Sequence, residues 1–360
     1  MADFREAPVY KAEKKIKDET GKVRYIVDLV EDTVGKPQRF VTAAEKIDWH
    51  KARAAEQFDK VAKIRGIKLV GSTSWVGTSF VAYLDDKEVE QLKKDRQVAM
   101  LTEDRAVPLS ALWNNTTESG SETRSWGLHA LGIPSGSLTG GATVYVLDSG
   151  VEMHNDLPGL SNQNRLTAFD TTSNGQPLNP TGCYPHATHV AGIIGAGHNG
   201  IGVIGVVPGV QMVSVGLGTQ NIGNCSDGIY EFGVFQGYAI SAFTLGLDKI
   251  KQRVLRSGEV GIVNISSNAG GGVHSPTGTI GAKMANLATP SPYDGGYKGA
   301  SIVQSAGNQN SNACEWAYNA QSGYDGILVI GGLDETARTV KMLNAIPAYS
   351  APDFASNTGG

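Results

Sequence analysis

The chain has 360 residues, 46 of them glycine, and its 31 basic and 35 acidic side chains leave a net charge of −4. No basic stripe or block of like charge is present, which argues against nucleic acid as a partner. No run reaches the roughly 18 apolar residues of a membrane span, and the glycine content fits a loop-rich α/β protein of one large or two ordinary domains.

Residues 1–19 are polar and lack the apolar core of a signal peptide. The chain is therefore cytoplasmic, or its leader has been removed. From residue 20 the pattern becomes regular. Residues 23–30 form a β-rich run. Residues 42–65 have helical periodicity, with Ile47, Ala54, Phe58 and Val61 on one face. Residues 67–74 and 78–84 read as two strands around a turn at Gly77. Residues 85–95 read as a helix capped by Asp85 or Asp86, and 98–101 as a last strand. The order βαββαβ predicts a small α+β unit of the ferredoxin-like kind over 20–105. Composition changes near residue 105, and 106–124, with the polar stretch 113–121, reads as a linker.

From residue 125 onward, short apolar strands are predicted at 143–147, 210–215, 261–265, 300–305 and 327–330. Helical stretches fall within 226–256 and 278–287. Strands alternating with helices predict a parallel sheet covered on both faces, with ligands outside the carboxyl ends of its strands. The three cysteines, Cys183, Cys225 and Cys314, allow one disulfide at most and fix no pairing.

Three segments carry chemistry. The strand-like run 143–147 ends in Asp148-Ser149-Gly150. His186 opens the small-residue helix His186-Ala187-Thr188-His189-Val190-Ala191-Gly192. Ser305-Ala306-Gly307-Asn308 follows a strand. An isolated strand-end acid or turn asparagine is usually structural. Together and in this order, the three supply an acid, a base and an amide donor for an oxyanion. His189, one turn beyond His186, reads as a core histidine. Gly195-Ala196-Gly197-His198-Asn199-Gly200 matches a dinucleotide fingerprint in the wrong context, after a helix and before an extended stretch. A zinc site on Cys183, His186 and His189 matches no common spacing.

These motifs resemble the subtilisin-like serine proteases. Ser125-Trp126-Gly127-Leu128 is similar to the start of the mature enzyme in that family, and Phe354-Ala355-Ser356-Asn357-Thr358-Gly359 to a turn upstream of its serine. The resemblance implies an α/β catalytic domain over 125–360, preceded by an inhibitor-type prodomain over 20–105. It implies a triad of Asp148, His186 and a serine, with Asn308 in the oxyanion hole. The sole Gly-Thr-Ser, residues 77–79, has the wrong chain order, so the nucleophile is expected beyond Gly360. Ser266, Ser267 and Asn268 stand where the family binds the substrate backbone. Asp156 and Asn199 fall where family members hold a structural calcium ion. No cofactor is implied for the chemistry. The partners implied are protein or peptide substrates and the prodomain itself, in an extracellular monomer with no nucleic acid or membrane contact. The competing expectation is a truncated or pseudoprotease chain that binds peptides without cutting them.

Overall fold

A computed structural model describes residues 6–11, 15–30, 42–74, 76–104, 106–108, 122–125, 127–128, 141–168, 185–217, 229–232, 235–269, 272–291, 297–307, 313–318, 326–333 and 340–341.

The N-terminal unit is built on a five-stranded sheet of β1 (Val9–Tyr10), β2 (Val23–Leu29), β3 (Leu69–Thr73), β4 (Ser79–Leu84) and β5 (Val98–Glu103), in the order β1-β5-β2-β4-β3. The last four strands pair antiparallel, and β1 adds a parallel strand at the edge, within the segment expected to be a plain extension. Helix α1 (Ala43–Val61) starts where the Thr42 hydroxyl accepts the Glu45 N–H at 3.1 Å. It ends earlier than its periodicity suggests, passing into a 3₁₀ turn closed by Gly66 at φ 69°. Helix α2 (Asp86–Lys93) opens on a reciprocal capping box between Asp85 and Glu88.

Alternation along the strands gives this sheet two apolar faces. Tyr25, Val27, Leu29, Phe80, Ala82 and Leu84 pack with Val61, Phe58 and Leu92 of the two helices. Ile26 and Val81 point the other way and join the core of the second unit.

The second unit has a six-stranded, wholly parallel sheet. Its strands are β7 (Thr143–Asp148), β8 (Leu160–Thr167), β9 (Met212–Gly216), β12 (Gly261–Ile265), β13 (Ala300–Ser305) and β14 (Ile327–Ile330), in the order β14-β13-β12-β7-β9-β8. β8 has no counterpart among the sequence expectations, because five of its eight residues, Ser161-Asn162-Gln163-Asn164-Arg165, form a continuous polar run between Leu160 and Leu166. Helices α3 (Pro185–Gly195), α4 (Ile240–Ser257), α5 (Thr279–Ala288) and the short α6 (Ala313–Trp316) cover the sheet.

The alternation of β7 assigns the faces. Val144 and Val146 pack with Ala187 and Ala191 of α3. Tyr145 and Leu147 pack with Phe243, Leu247, Ile280 and Met284 of α4 and α5. The N-terminal sheet lies over α4, where a Cβ on Gly71 would fall 2.9 Å from Leu245 Cδ1.

A small third sheet corrects one expectation. β6 (Ala106–Pro108), the first residues of the expected linker, pairs antiparallel with β11 (Phe235–Ala239). β11 in turn pairs with β10 (Ile229–Phe232). The helical stretch read within 226–256 is α4, and the β10–β11 hairpin precedes it. A two-stranded pairing of β15 (Gly332–Leu333) with β16 (Val340–Lys341) completes the strands. The stretch 113–121, the turn 354–359 and Cys183 and Cys225 lie outside the described residues, and Cys314 is half-buried on α6.

Candidate active site

Strand β7 stands where the sheet's connectivity reverses. β9 and β8 lie on one side of it, β12 to β14 on the other. The crevice outside the carboxyl ends at such a switch point is the usual ligand site of a parallel sheet. Asp148 ends β7 in that crevice. It is wholly buried, and its position continues the Val144–Val146 face that packs on α3.

The N-terminus of α3 brings the histidine to the acid. Pro185 takes the first helical position, where its missing N–H costs nothing. His186 follows, and its Nδ1 lies 2.8 Å from Asp148 Oδ1. The contact is braced on both sides. The Ser149 N–H donates to the same carboxylate oxygen at 2.6 Å, Ser149 Oγ accepts from the Ala187 N–H at 3.3 Å, and Thr188 Oγ1 accepts from the Glu152 N–H at 3.0 Å. Gly150 turns the chain between these contacts at φ 106°, a conformation that favours glycine.

Burial acts to lower the His186 pKa. The hydrogen bond to Asp148 and its negative charge act the other way and prevail, so the imidazole sits above its ordinary value. The second oxygen, Asp148 Oδ2, is buried with no hydrogen-bond partner among the described residues. His189 corrects its expectation. It is exposed rather than a core residue, and burial of part of its ring with the nearby His186 pushes its pKa down.

The remaining candidates are placed unevenly. Ser266 is half-buried and its hydroxyl accepts from Asn264 Nδ2 at 2.9 Å. Ser267 and Asn268 are buried, and Asn268 is locked to β13: its Nδ2 donates to Ser305 O at 2.6 Å and its Oδ1 accepts from Ser305 Oγ at 2.8 Å. The Asn268 side chain is therefore held against β13, and Ser267 is buried with the N-terminal unit in place. Asn308 lies outside the described residues, one position past Gly307 at φ 102°. Ser79, in the Gly-Thr-Ser at 77–79, is buried in the N-terminal sheet and donates to Asp28 at 2.5 Å, far from any role beside His186.

Asp156, in the turn before β8, meets Asn199 of the loop after α3. Asp156 Oδ1 accepts from Asn199 Nδ2 at 3.2 Å, and Oδ2 from the Val203 N–H at 3.1 Å. Sequence reasoning missed a third member, Glu122, whose Oε1 accepts from the N–H groups of Asn199 at 2.7 Å and Gly200 at 3.1 Å. Only its place just ahead of Ser125-Trp126-Gly127 hinted at it. Two largely buried carboxylates from separate segments, Glu122 and Asp156, thus hold the loop after α3 through Asn199, and oxygen donors of this kind are the ones calcium takes. No group of three or more His, Cys, Asp or Glu side chains gathers as a metal cage among the described residues.

Comparison with known proteins places this geometry in context. Residues 139–359 match the family model of the subtilase family. The alkaline elastase YaB of Bacillus sp. (strain YaB) is 28% identical over 280 residues, covering 75% of this chain and 63% of that protein. The alkaline protease of Alkalihalobacillus alcalophilus is 26% identical over 284 residues, with 77% and 63% covered. The chain thus spans just under two thirds of the length of these relatives. Among solved structures, fervidolysin from Fervidobacterium pennivorans, a keratinolytic enzyme related to subtilisin, superposes with a TM-score of 0.52 at 16% identity, over 95% of this chain and 47% of its own. A mutant of the epidermin leader peptide processing serine protease of Staphylococcus aureus gives 0.52 at 12% identity, over 86% and 69%. At these identities the structures speak for the fold alone.

Proposed function

The chain belongs to the subtilase family, and from that membership we propose that it is the N-terminal part of a serine endopeptidase zymogen, acting through an Asp–His–Ser triad. The observation that carries this reading is the 2.8 Å bond between Asp148 and His186 at the switch point of the sheet, within the matched region.

The chemistry follows from the ring's two nitrogens. With Nδ1–H donated to Asp148, Nε2 carries the lone pair and can take a proton from a serine hydroxyl. Asp148 holds that tautomer and stabilises the imidazolium that forms as the serine attacks the peptide carbonyl. Asn308 donates to the tetrahedral oxyanion, a contact of the type worth about 10²–10³ in rate. The serine comes from sequence C-terminal to Gly360, since Ser79 is buried in the other sheet. Substrates are protein or peptide chains, and the enzyme works outside the cell as a monomer.

The N-terminal unit acts as folding aid and inhibitor until it is cleaved. Its support is structural. Neither α4 nor α5 has a side-chain cap of its own. The end of β5 meets both helices and caps α4. Asp104 accepts the Ser241 N–H at 3.0 Å and the Ser241 hydroxyl, and Thr102 Oγ1 meets Thr279 Oγ1 at 2.6 Å. A carboxylate at a helix N-terminus satisfies orphan N–H groups and complements the dipole. Just beyond, β6 lies along the edge of β11 as an added strand. Glu122, Asp156 and Asn199 would hold a structural calcium ion, which would tie the start of the second unit to the loop after α3.

The test uses a form extended past Gly360. It should hydrolyse casein and take one fluorophosphonate at a serine beyond residue 360, and His186→Ala should abolish both. Labelling within 1–360 would refute the placement of the nucleophile. No labelling of the extended form would leave a peptide-binding pseudoprotease.

A further inference from the structure

The carboxyl ends of β12 and β13 carry two buried polar sets that the dyad chemistry does not use. In the first, Asn268 spends both halves of its amide on one residue of the neighbouring strand. Its Nδ2 donates to the Ser305 carbonyl at 2.6 Å, and its Oδ1 accepts from the Ser305 hydroxyl at 2.8 Å. Asn268 is only 1% exposed. The second set is centred on Gln304, one residue earlier in β13 and wholly buried. Its Nε2 donates to the Ser267 carbonyl at 3.3 Å and lies 3.2 Å from His274 Nδ1, while its Oε1 accepts from the Tyr318 N–H at 3.0 Å. His274 is buried in turn with its ring edge-on to Phe243 of α4. All of these partners belong to the second unit, so neither set relies on the N-terminal unit for its hydrogen bonds.

The strand order says what comes to lie over these sets. Asp148 ends β7, Asn308 follows the end of β13, and β12 is the strand between them. Neighbouring strands are about 4.8 Å apart. A carbonyl attacked from beside His186, with its oxygen held by Asn308, therefore has to sit over the carboxyl end of β12. The side chain on the acyl side of that carbonyl then meets the ends of β12 and β13, where the Asn268 amide runs from one strand to the other.

We propose that Asn268 is a specificity-determining residue: its side chain closes the gap between the ends of β12 and β13 and restricts the residue on the acyl side of the scissile bond to a small side chain such as alanine, glycine or serine. The proposal rests on reading the chain as a protease with Asn308 in the oxyanion hole. Discrimination of this kind comes from exclusion, not from added attraction. A large side chain has to push the amide aside, which strands the Ser305 carbonyl and the Asn268 amide where little water reaches. Each buried polar group left unpaired costs about tenfold or more in affinity. The end of β12 does not yield as a whole instead, because Gln304 ties the Ser267 carbonyl to β13 and is itself held by Tyr318 and His274. Glycine at position 268 would remove the obstacle and leave the strand ends otherwise as they are.

The experiment uses the form extended past Gly360, with a site-specific protease sequence inserted between Ser119 and Gly120, cut there, and both halves kept in solution. The substrates are succinyl-Ala-Ala-Pro-X p-nitroanilides with X alanine or phenylalanine. Wild type should give a kcat/KM for alanine at least about tenfold above that for phenylalanine. Asn268→Gly should raise the phenylalanine value and lower the alanine-to-phenylalanine ratio by about tenfold or more. Ser305→Ala, which removes one of the two bonds that hold the amide, should lower the ratio by about threefold. A wild type that prefers phenylalanine, or a ratio in Asn268→Gly within about threefold of wild type, overturns the proposal. If circular dichroism shows that Asn268→Gly does not fold, Asn268→Ala replaces it with the same criteria. The preference is also read without catalysis, by NMR titration with the product acids succinyl-Ala-Ala-Pro-Ala and succinyl-Ala-Ala-Pro-Phe. An alanine preference among the acids that Asn268→Gly removes, in a form that takes no fluorophosphonate, would sink the protease reading and leave the role of Asn268 standing. Fluorophosphonate labelling with a ratio that Asn268→Gly does not change would do the reverse. No labelling and no preference among the acids would overturn both.

Discussion

Asp104 joins the two units more densely than any other single side chain described above, and its removal is the sharpest test of how they hold together. It is wholly buried. Its Oδ2 accepts from Arg24 Nε at 2.6 Å within the N-terminal unit and from the Ser241 hydroxyl across the interface, while its Oδ1 accepts from the Ser241 N–H at 3.0 Å. Asp104→Ala removes all three at once. Breaking a buried ion pair by taking one partner away costs about 3–5 kcal/mol. Arg24 keeps another interaction, which places that part at the low end. The N-terminus of α4 has no cap of its own, and loss of a cap adds about 1 kcal/mol. The expected total is about 4 kcal/mol. Asp104→Asn keeps the volume and one acceptor, and should cost about half as much. Urea unfolding of the full chain at pH 7, followed by far-ultraviolet circular dichroism, measures both. The exposed pair Lys63–Asp59, at 3.2 Å, is the control, and Lys63→Ala should stay within about 0.5 kcal/mol of wild type. If Asp104→Ala also stays within about 0.5 kcal/mol, the buried bridge is not what stabilises the interface.

The other expectations concern the dyad, the loop and two glycines. The His186 imidazole, followed by ¹H–¹⁵N NMR, should titrate with a midpoint above the ordinary 6.5, and Asp148→Asn should bring it below, where burial acts alone. Because the folded pKa is raised, the charged pair's stability contribution is full below pH 6.5 and is lost as pH rises through the folded value, so Asp148→Asn should cost more stability at pH 5.5 than at pH 9. Activity of the extended form should instead rise across the same interval, since catalysis uses the neutral ring. Calcium should raise the unfolding midpoint of the chain, and Asp156→Asn or Glu122→Gln should remove most of that response, with a response unchanged in both variants refuting the site. Gly281→Ala should destabilise by about 2 kcal/mol or more, because its Cβ would meet the Ser275 and His274 carbonyl oxygens. Gly192→Ala on α3, with nothing within 4 Å of the new Cβ, should stabilise by up to about 1 kcal/mol. Thermal or urea melts read both.

The central strand and helix of the site were legible because their signals are local. Four apolar residues before an acid give β7, and Pro-His ahead of a run of small residues gives α3. What was missed depends on partners distant in the chain. β6 and the β10–β11 hairpin are strands because residues 106–108 find residues 237–239, a pairing that no local period records. β1 is two residues long and exists by pairing with β5. His189 falls one turn from His186 as its spacing requires, but spacing does not tell which side of a helix the solvent occupies. Ser267 and Asn268 looked like a cleft edge. Both are buried here: Ser305 of the neighbouring strand bonds to the Asn268 amide, and Gln304 Nε2 donates to the Ser267 backbone carbonyl.

A single alternation in β7 separates the two tasks of this fold. Even positions, Val144 and Val146, face α3, and the next in that series is Asp148. The acid therefore emerges on the side where α3 begins, and His186 needs no long reach to meet it. Odd positions, Tyr145 and Leu147, face α4 and α5, which carry the N-terminal sheet on their outer side. A shift of β7 by one residue would exchange the two sets and aim Asp148 at the α4–α5 face. The register is held by parallel neighbours on both edges, β9 and β12, and by the Leu217 N–H donating to the Asp148 carbonyl at 2.8 Å. Substitutions on the α4–α5 face can therefore loosen the N-terminal unit while the Asp148–His186 bond keeps its geometry. That independence is what allows docking of the N-terminal unit and the geometry of the dyad to be measured, and to fail, separately.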